Sequence, residues 1–318
     1  MTLDKISDKL FEAKKVAIFT HINPDCDGFG SMFALYYGLK SLGIKCSMFV
    51  DGSLGKFESE IFECNKIEKE FNPKKYDTLI AVDCAETSRL GKYGEAFKSH
   101  ANTFKIDHHI NKDNYALNSY IEHDSASCCE IVYELLTKLQ VEITSKIATC
   151  IYAGIATDTS SFMNTNTTTR SYKIAEKVLA KGANTTLINK QCFRMISRGS
   201  IELTKLLYNN IKYLHNGEVA YVILNNKDFK KTQTTYQDAS NFSNILCSIE
   251  GVKIGCCITE RDGFSFSIRS VLGYSANKLA EILGGGGHEQ AAGAVIKEKQ
   301  KVVEKKFIEA IKQFMGKK

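Results

Sequence analysis

His21-Ile-Asn-Pro-Asp-Cys-Asp-Gly-Phe-Gly-Ser31 is the stretch on which the fold turns. Before it, Lys15-Val-Ala-Ile-Phe-Thr20 is a short apolar run of the kind that forms a strand buried on both faces. After it, the pattern of residues 31–42 predicts a helix that stops at Gly43. One imidazole and two carboxylates thus occupy the turn leaving a strand, where open α/β sheets place their active sites. Pro24 stiffens that turn, and Gly28 and Gly30 allow a tight bend into the helix. Asp25 and Asp27 stand two apart, so their side chains diverge unless something such as a pair of divalent cations holds them together. Aspartate also caps helices, and taken alone that plainer role fits Asp25 as well.

The pattern recurs along the chain. Asp77-Thr-Leu-Ile-Ala-Val-Asp83 is another buried strand ending in an acid, and Thr103-Phe-Lys-Ile-Asp107-His108-His109 ends in an acid and two imidazoles. Helical periodicity over 126–139 and 144–156 leads into Asp158. Strands alternating with helices imply a parallel sheet with right-handed crossovers, whose strand C-termini open on one edge. The acids and imidazoles at these ends should therefore converge. A single aspartate of this kind is most often a turn or cap residue. All four groups being so at once is much harder to sustain. Oxygen and imidazole donors without a cysteine cluster suit two hard cations, Mn²⁺ or Mg²⁺, and not zinc.

Length allows two domains: 318 residues at about 150 per domain. The hydrophobic share of 43% and charged share of 25% are ordinary for a globular protein. No apolar run reaches the roughly 18 residues of a membrane span, and the polar Met1-Thr-Leu-Asp-Lys start lacks a signal-peptide core. A cytoplasmic protein with no membrane partner is expected. The net charge of +6 favours anionic substrates but falls short of the basic footprint of a duplex-DNA binder. Eleven cysteines fall largely inside apolar segments and show no Cys-x-x-Cys spacing, so reduced core thiols are expected, with Cys26 a spectator.

Beyond a first domain over 1–184, residues 185–214 look like a helical linker whose Arg194 and Arg198 face solvent. A second domain over 215–318 holds apolar or alternating strands at 219–224, 252–258 and 264–269, then a helix over 276–283. Gly284-Gly-Gly-Gly-His288 follows. Successive glycines cost conformational entropy. They suit a loop whose backbone approaches a ligand closely and offers N–H groups to an anion. A charged helix over 298–318 closes the chain.

The motifs His21-x-x-Pro-Asp25-x-Asp27-x-x-Gly-Ser, Val82-Asp83, Asp107-His108-His109 and Ala156-x-Asp158-Thr resemble, in order, those of the DHH phosphoesterase superfamily. The second half resembles the associated DHHA1 domain, and the layout is similar to the NrnA-like branch. The resemblance implies an α/β fold: a parallel-sheet DHH domain with helices on both faces, a helical linker and a smaller α/β DHHA1 domain. It implies one cation on His21, Asp25 and Asp83, and a second on Asp27, Asp83, His108 and Asp158. Asp107 would orient a ligand imidazole, and His109 would contact the scissile phosphate. Arg269, Gly285, Gly286 and His288 would hold the nucleotide, so that the second domain gauges substrate length across a cleft. The activity implied is hydrolysis of short single-stranded RNA of two to five nucleotides and of 3′-phosphoadenosine 5′-phosphate. Alternatives are a phosphodiesterase of linear or cyclic dinucleotides, a RecJ-like exonuclease, and a non-catalytic nucleotide or RNA sensor. A homodimer is common in that family.

Overall fold

β1 (Lys15–Phe19) buries every side chain after its first lysine. It lies second in a five-stranded, all-parallel sheet ordered β2-β1-β3-β4-β5. The partners are β2 (Lys45–Phe49), β3 (Thr78–Val82), β4 (Thr103–Asp107) and β5 (Asn118–Ile121). From β1 the chain goes to β2 on one side and returns to β3 on the other, which opens a crevice at the carboxyl ends of β1 and β3. Register sets the level of that edge. Phe19 pairs with Ala81 and Val82 with Ile106, so His21, Asp83 and Asp107 stand abreast just beyond the pairing.

The computed structural model describes residues 1–52, 56–110 and 113–316. They divide into two compact units, Met1–Met195 and Ile196–Lys318. The first contains α1 (Leu3–Glu12), α2 (Cys26–Ser41), α3 (Lys56–Ile61), α4 (Gly94–Lys98), α5 (Cys128–Lys138), α6 (Ser145–Asp158), α7 (Thr169–Ala180) and α8 (Thr185–Ile188). Val16, Ile18, Ile80 and Ile106 pack one face of the sheet against α1, α2, α5 and α6. The other face stacks Phe19 and Phe49 against Tyr93 and Phe97, the latter from α4.

The second unit contains α9 (Arg198–Asn209), α10 (Asn226–Thr232), α11 (Phe242–Cys247), α12 (Ala276–Ile282) and α13 (Gln300–Met315). Its sheet is ordered β10-β11-β9-β8-β7-β6. The strands are β6 (Lys212–Leu214), β7 (Val219–Leu224), β8 (Ile254–Arg261), β9 (Gly263–Ser270), β10 (Gly286–His288) and β11 (Ala291–Ile296). Only the β7–β8 pair is parallel. Residues of α12 and α13 join one core of this sheet, those of α9, α10 and α11 the other.

Four sequence expectations need correction. Residues 185–214 are no single helix. α8 and a π-helical turn (Asn189–Arg194) bury Ile188 in the core of the first unit, whereas α9 buries Leu203 and Leu207 in the second. The helix after β1 begins at Cys26, so Gly28 and Gly30 are helical and form no bend. Their value is proximity: a Cβ at Gly28 would stand 2.6 Å from Thr20 Oγ1, and one at Gly30 2.5 Å from the Cys150 carbonyl. The charge pattern of residues 58–70 predicts a helix, where the structure has α3 and a 3₁₀ turn at Cys64–Lys66. Finally, the glycine stretch is half a hairpin. The Gly284, Gly285 and Gly287 N–H groups bond to Glu281 O, Ala280 O and Asn277 Oδ1, so they are not free for an anion. The last helix ends at Met315, and residues 317–318 lie outside the described residues.

Candidate metal centre

Asp25 caps α2, its Oδ1 accepting from the N–H groups of Asp27 and Gly28 at 3.0 and 3.1 Å. Such a cap stabilises a helix by about 1 kcal/mol. The same Oδ1 lies 3.9 Å from His21 Nε2, with 63% of the side chain exposed, so capping and facing the crevice coexist. Asp27, in the first turn of the helix, is fully buried. Its Oδ2 and Oδ1 accept from the N–H groups of Cys128 and Cys129 at 2.6 and 2.9 Å, the first turn of α5 behind its Ser127 cap. A helix N-terminus holds a carboxylate by charge as well as by hydrogen bonds.

Asp83 is the hinge of the arrangement. It follows β3 with φ of 53°, a left-handed conformation that costs an L-residue roughly 1 kcal/mol or more and marks strain at functional sites. One carboxylate oxygen, Oδ2, lies 3.5 Å from His21 Nε2, and the other, Oδ1, 3.5 Å from His108 Nε2. His108 Nε2 also lies 3.5 Å from Asp158 Oδ2 and 3.7 Å from Asp27 Oδ2. Donor atoms thus gather as His21 with Asp25 and Asp83, and as Asp27 with His108 and Asp158, within 4.8 Å inside each group. Asp83 faces both.

Asp83 Oδ1 and His108 Nε2 are buried without a hydrogen-bond partner. Orphaned buried polar atoms are costly, and these two face each other. Octahedral bonds of about 2.1 Å put neighbouring donors about 3 Å apart, close to the spacing seen here. The residues fit two hard divalent cations.

Charge among these donors is lopsided. Burial opposes ionisation of Asp158, and the neighbouring Asp27, Asp25 and Asp83 add to it, raising its carboxyl to about 9. Burial and Asp83 raise Asp27 to about 7. Burial works against protonated His21 and His108, but the carboxylates outweigh it and hold both at about 10. Asp83 resists its burial because His108 and His21 hold it well below the usual carboxylate range. A site that stores protons on its donors is one that positive charge would displace them from.

Asp107 does not touch the His108 ring. Its Oδ1 accepts from the backbone N–H groups of His108 and His109 and from His109 Nδ1, at 2.8, 3.2 and 2.9 Å. The ring it orients is His109, with 44% of that side chain exposed. His108 Nδ1 instead donates to the Ser125 carbonyl at 3.2 Å, which leaves Nε2 as a donor atom for a metal.

In the second unit, His288 pairs with Ala291 and Ala291 with Arg269, so the three form one row across β10, β11 and β9 on one face of the sheet. The neighbouring row is Gly286, Gly293 and Ser267, which leaves a shallow trough beside Arg269 and His288. A Cβ at Gly285 would stand 2.1 Å from the Gly293 carbonyl, so that glycine permits the strand approach. The first unit thus gathers the acids with His21, His108 and His109, and Arg269, Gly286 and His288 assemble separately within the second.

The N-terminal domain of the DHH family matches residues 15–155, and the DHHA1 domain matches residues 216–317. The chain is 30% identical over 286 residues to the bifunctional oligoribonuclease and PAP phosphatase NrnA of Thermus thermophilus, covering 89% of this chain and 84% of that one. The chain belongs to the DHH family. It is a DHH phosphoesterase, and enzymes of this family depend on metal ions. The NrnA of Bacillus subtilis is 26% identical over 285 residues, 88% of this chain and 89% of its own. A solved exopolyphosphatase-related protein of Bacteroides fragilis superposes with a TM-score of 0.89 at 25% identity, covering 99% of this chain and 96% of that one. Among the described residues no helix is long and apolar enough to cross a membrane.

Lys105 and Glu130 of this DHH site escape a sequence reading, whereas Arg89 and Arg170 stand out in the sequence as arginines for substrate contact or, more simply, ion pairing. Lys105 is fully buried, its Nζ donating to the Ala85 carbonyl at 2.8 Å and lying 3.6 Å from Asp107 Oδ2. The one visible signal is a lysine in an otherwise buried strand. Arg89 reaches His21, with Nη2 at 2.8 Å from Nδ1. Arg170 forms ion pairs with Glu122 and Glu134 at 2.8 and 2.9 Å, a structural role. Glu130 accepts from Ser125 Oγ at 3.0 Å and so steadies the segment that holds His108.

Proposed function

We propose that the protein hydrolyses short single-stranded oligoribonucleotides to mononucleotides and removes a phosphate from 3′-phosphoadenosine 5′-phosphate. The observation that supports this best is Asp83, which offers one carboxylate oxygen to each of two donor groups. His21, Asp25 and Asp83 would hold one divalent cation, and Asp27, Asp83, His108 and Asp158 the other, Mn²⁺ or Mg²⁺ serving both. When bound, such a pair supplies an activated water and neutralises charge on the phosphate. Asp107 fixes His109 through Nδ1–H, which leaves Nε2 to face the scissile phosphate and, in the protonated ring, to donate to it. Arg269 and His288 would receive an anionic end of the nucleotide, beside the smooth Gly286–Gly293–Ser267 row. The names of the curated relatives support the same substrates.

The test is release of phosphate and mononucleotides with Mn²⁺ from a panel. It contains 3′-phosphoadenosine 5′-phosphate, pApA, RNA of two to five nucleotides, RNA of about 25 nucleotides and cyclic di-AMP, at lengths chosen to bracket short and long. Preference for the short linear substrates sustains the reading, and equal or faster cutting of the long strand overturns it. Hydrolysis that persists in Asp83→Asn would overturn the two-cation assignment. Binding without hydrolysis by the unmodified protein would leave a sensor.

A further inference from the structure

The turn bearing Asp25 and Asp27 also bears a thiol between them. Cys26 is 4% exposed, and its Sγ lies 3.8 Å from Sγ of Cys192. Cys192 sits in the π-helical turn Asn189–Arg194, within the same unit, and is only partly buried. Single π-helical turns are rare and concentrate at functional positions. The geometry is that of an outer thiol within reach of a small oxidant, backed by an inner thiol in contact with it. Contact with Cys26 also holds the Cys192 thiol below its ordinary value, whereas burial pushes the Cys46, Cys84 and Cys247 thiols up. Thiolate character and access together select which cysteine a peroxide oxidises.

We propose that Cys26 and Cys192 form a redox modification site that takes a hydroperoxide and closes to a disulfide, disabling the adjoining metal centre. That consequence rests on the assignment of Asp25 and Asp27 as metal ligands. In the first step the Cys192 sulfur attacks one oxygen of hydrogen peroxide, the O–O bond breaks and water leaves, so that Cys192 becomes a sulfenic acid. The Cys26 sulfur then attacks the Cys192 sulfur, the S–O bond breaks, and a second water leaves with the Cys26 proton. Two thiols and one peroxide give one disulfide and two waters.

The closure has a geometric consequence. A disulfide is about 2.05 Å long, so the sulfurs must approach by about 1.8 Å from their present 3.8 Å. Cys26 is the first residue of α2, flanked by the Asp25 cap and by Asp27, which α5 pins through two N–H groups. The partly buried Cys192 turn and the Asp25–Asp27 turn share that motion, and the share taken by the latter displaces the two carboxylates. Disturbing the groups that orient metal ligands costs about 10–100-fold in affinity.

The experiment treats the full chain with hydrogen peroxide, maps disulfides by mass spectrometry without reduction, and titrates Mn²⁺ by calorimetry. A Cys26–Cys192 linkage, an Mn²⁺ affinity lowered by about tenfold or more, and reversal of both by dithiothreitol are expected. Cys192→Ser should keep the reduced protein's Mn²⁺ affinity and lose the response to peroxide, with Cys192→Ala as a second variant should the serine fold poorly. The proposal is overturned if both thiols survive peroxide, if Cys192 pairs with another cysteine, or if the linkage leaves Mn²⁺ affinity unchanged. Because linkage and affinity are read without substrate, they judge the thiol site even if the reduced protein hydrolyses none of the panel.

Discussion

Gly154 lies in α6 with its face toward Asp27, and replacing it by alanine tests the metal centre from behind. The added Cβ would stand 2.4 Å from Asp27 Oδ1 and 2.3 Å from Cys129 Sγ, against an ordinary contact of 3.4 Å or more. Something must move by about 1.0 Å, and both helix backbones are buried. Asp27 Oδ1 is held by Cys129 N–H, so the methyl presses on a carboxylate already fixed between two helices. Overpacking of this kind costs about 1–3 kcal/mol. Alanine returns about 1 kcal/mol through its better helix propensity. The net loss of stability is then at most about 2 kcal/mol, a fall in Tm of a few degrees for a unit of this size. Mn²⁺ affinity should fall about 10–100-fold. Calorimetric titration with Mn²⁺, paired with a thermal melt, separates the two effects. A Gly154→Ala protein that binds Mn²⁺ as tightly as the parent would refute the placement of Asp27 as a ligand.

Raised groups set the pH response of the metal-free protein. A group whose folded value is raised stabilises the fold below its unfolded value and loses that contribution as pH rises through the folded one. For Asp158 the window runs from 3.8 to about 9, and for His21 and His108 from 6.5 to about 10. Asp83 has the opposite sign, but its contribution is already complete above 3.8. Chelator-treated protein should therefore melt at lower temperature as pH is raised from 6.5 to about 9; a flat profile would count against the stored protons. Mn²⁺ binding should release protons, seen as a calorimetric enthalpy that varies with buffer. Lys105→Met should destabilise the first unit by about 1–3 kcal/mol in urea unfolding, because Asp107 Oδ2 and the Ala85 carbonyl lose the ammonium they face while Asp107 Oδ1 keeps its bonds to His108 and His109. Arg269→Ala should raise KM by about 10–100-fold, the loss of a charged hydrogen bond, and leave the melting temperature nearly unchanged. An effect confined to kcat would instead place Arg269 at the reacting phosphate.

Much of this protein is written locally. Val16-Ala-Ile-Phe19 and Thr78-Leu-Ile-Ala-Val82 are strands because short apolar runs are buried on both faces of a parallel sheet, and their last residues mark its edge. His21, Asp83 and Asp107-His108-His109 were legible as strand-end groups for that reason, and Asp158 as the end of an apolar helix. Other features depend on contacts between distant segments. Asp107 orients His109 rather than His108 because Ser125, brought in beside β4, takes the His108 ring nitrogen. The glycine stretch became strand β10 because β11 returns alongside it, and a backbone paired in that way has little left to offer an anion. Gly28 and Gly30 read as bend residues, yet they and Gly154 each mark a close approach that only packing creates. Lys105 is charged by sequence and buried by topology, since Asp107 and the Ala85 carbonyl meet it there. Cys26 looked like a spectator until the fold placed Cys192 against it. Sequence determined which groups reach the edge of the sheet, because periodicity and strand ends are local. Tertiary structure decided which group faces which, because proximity across more than a hundred residues belongs to the packed chain.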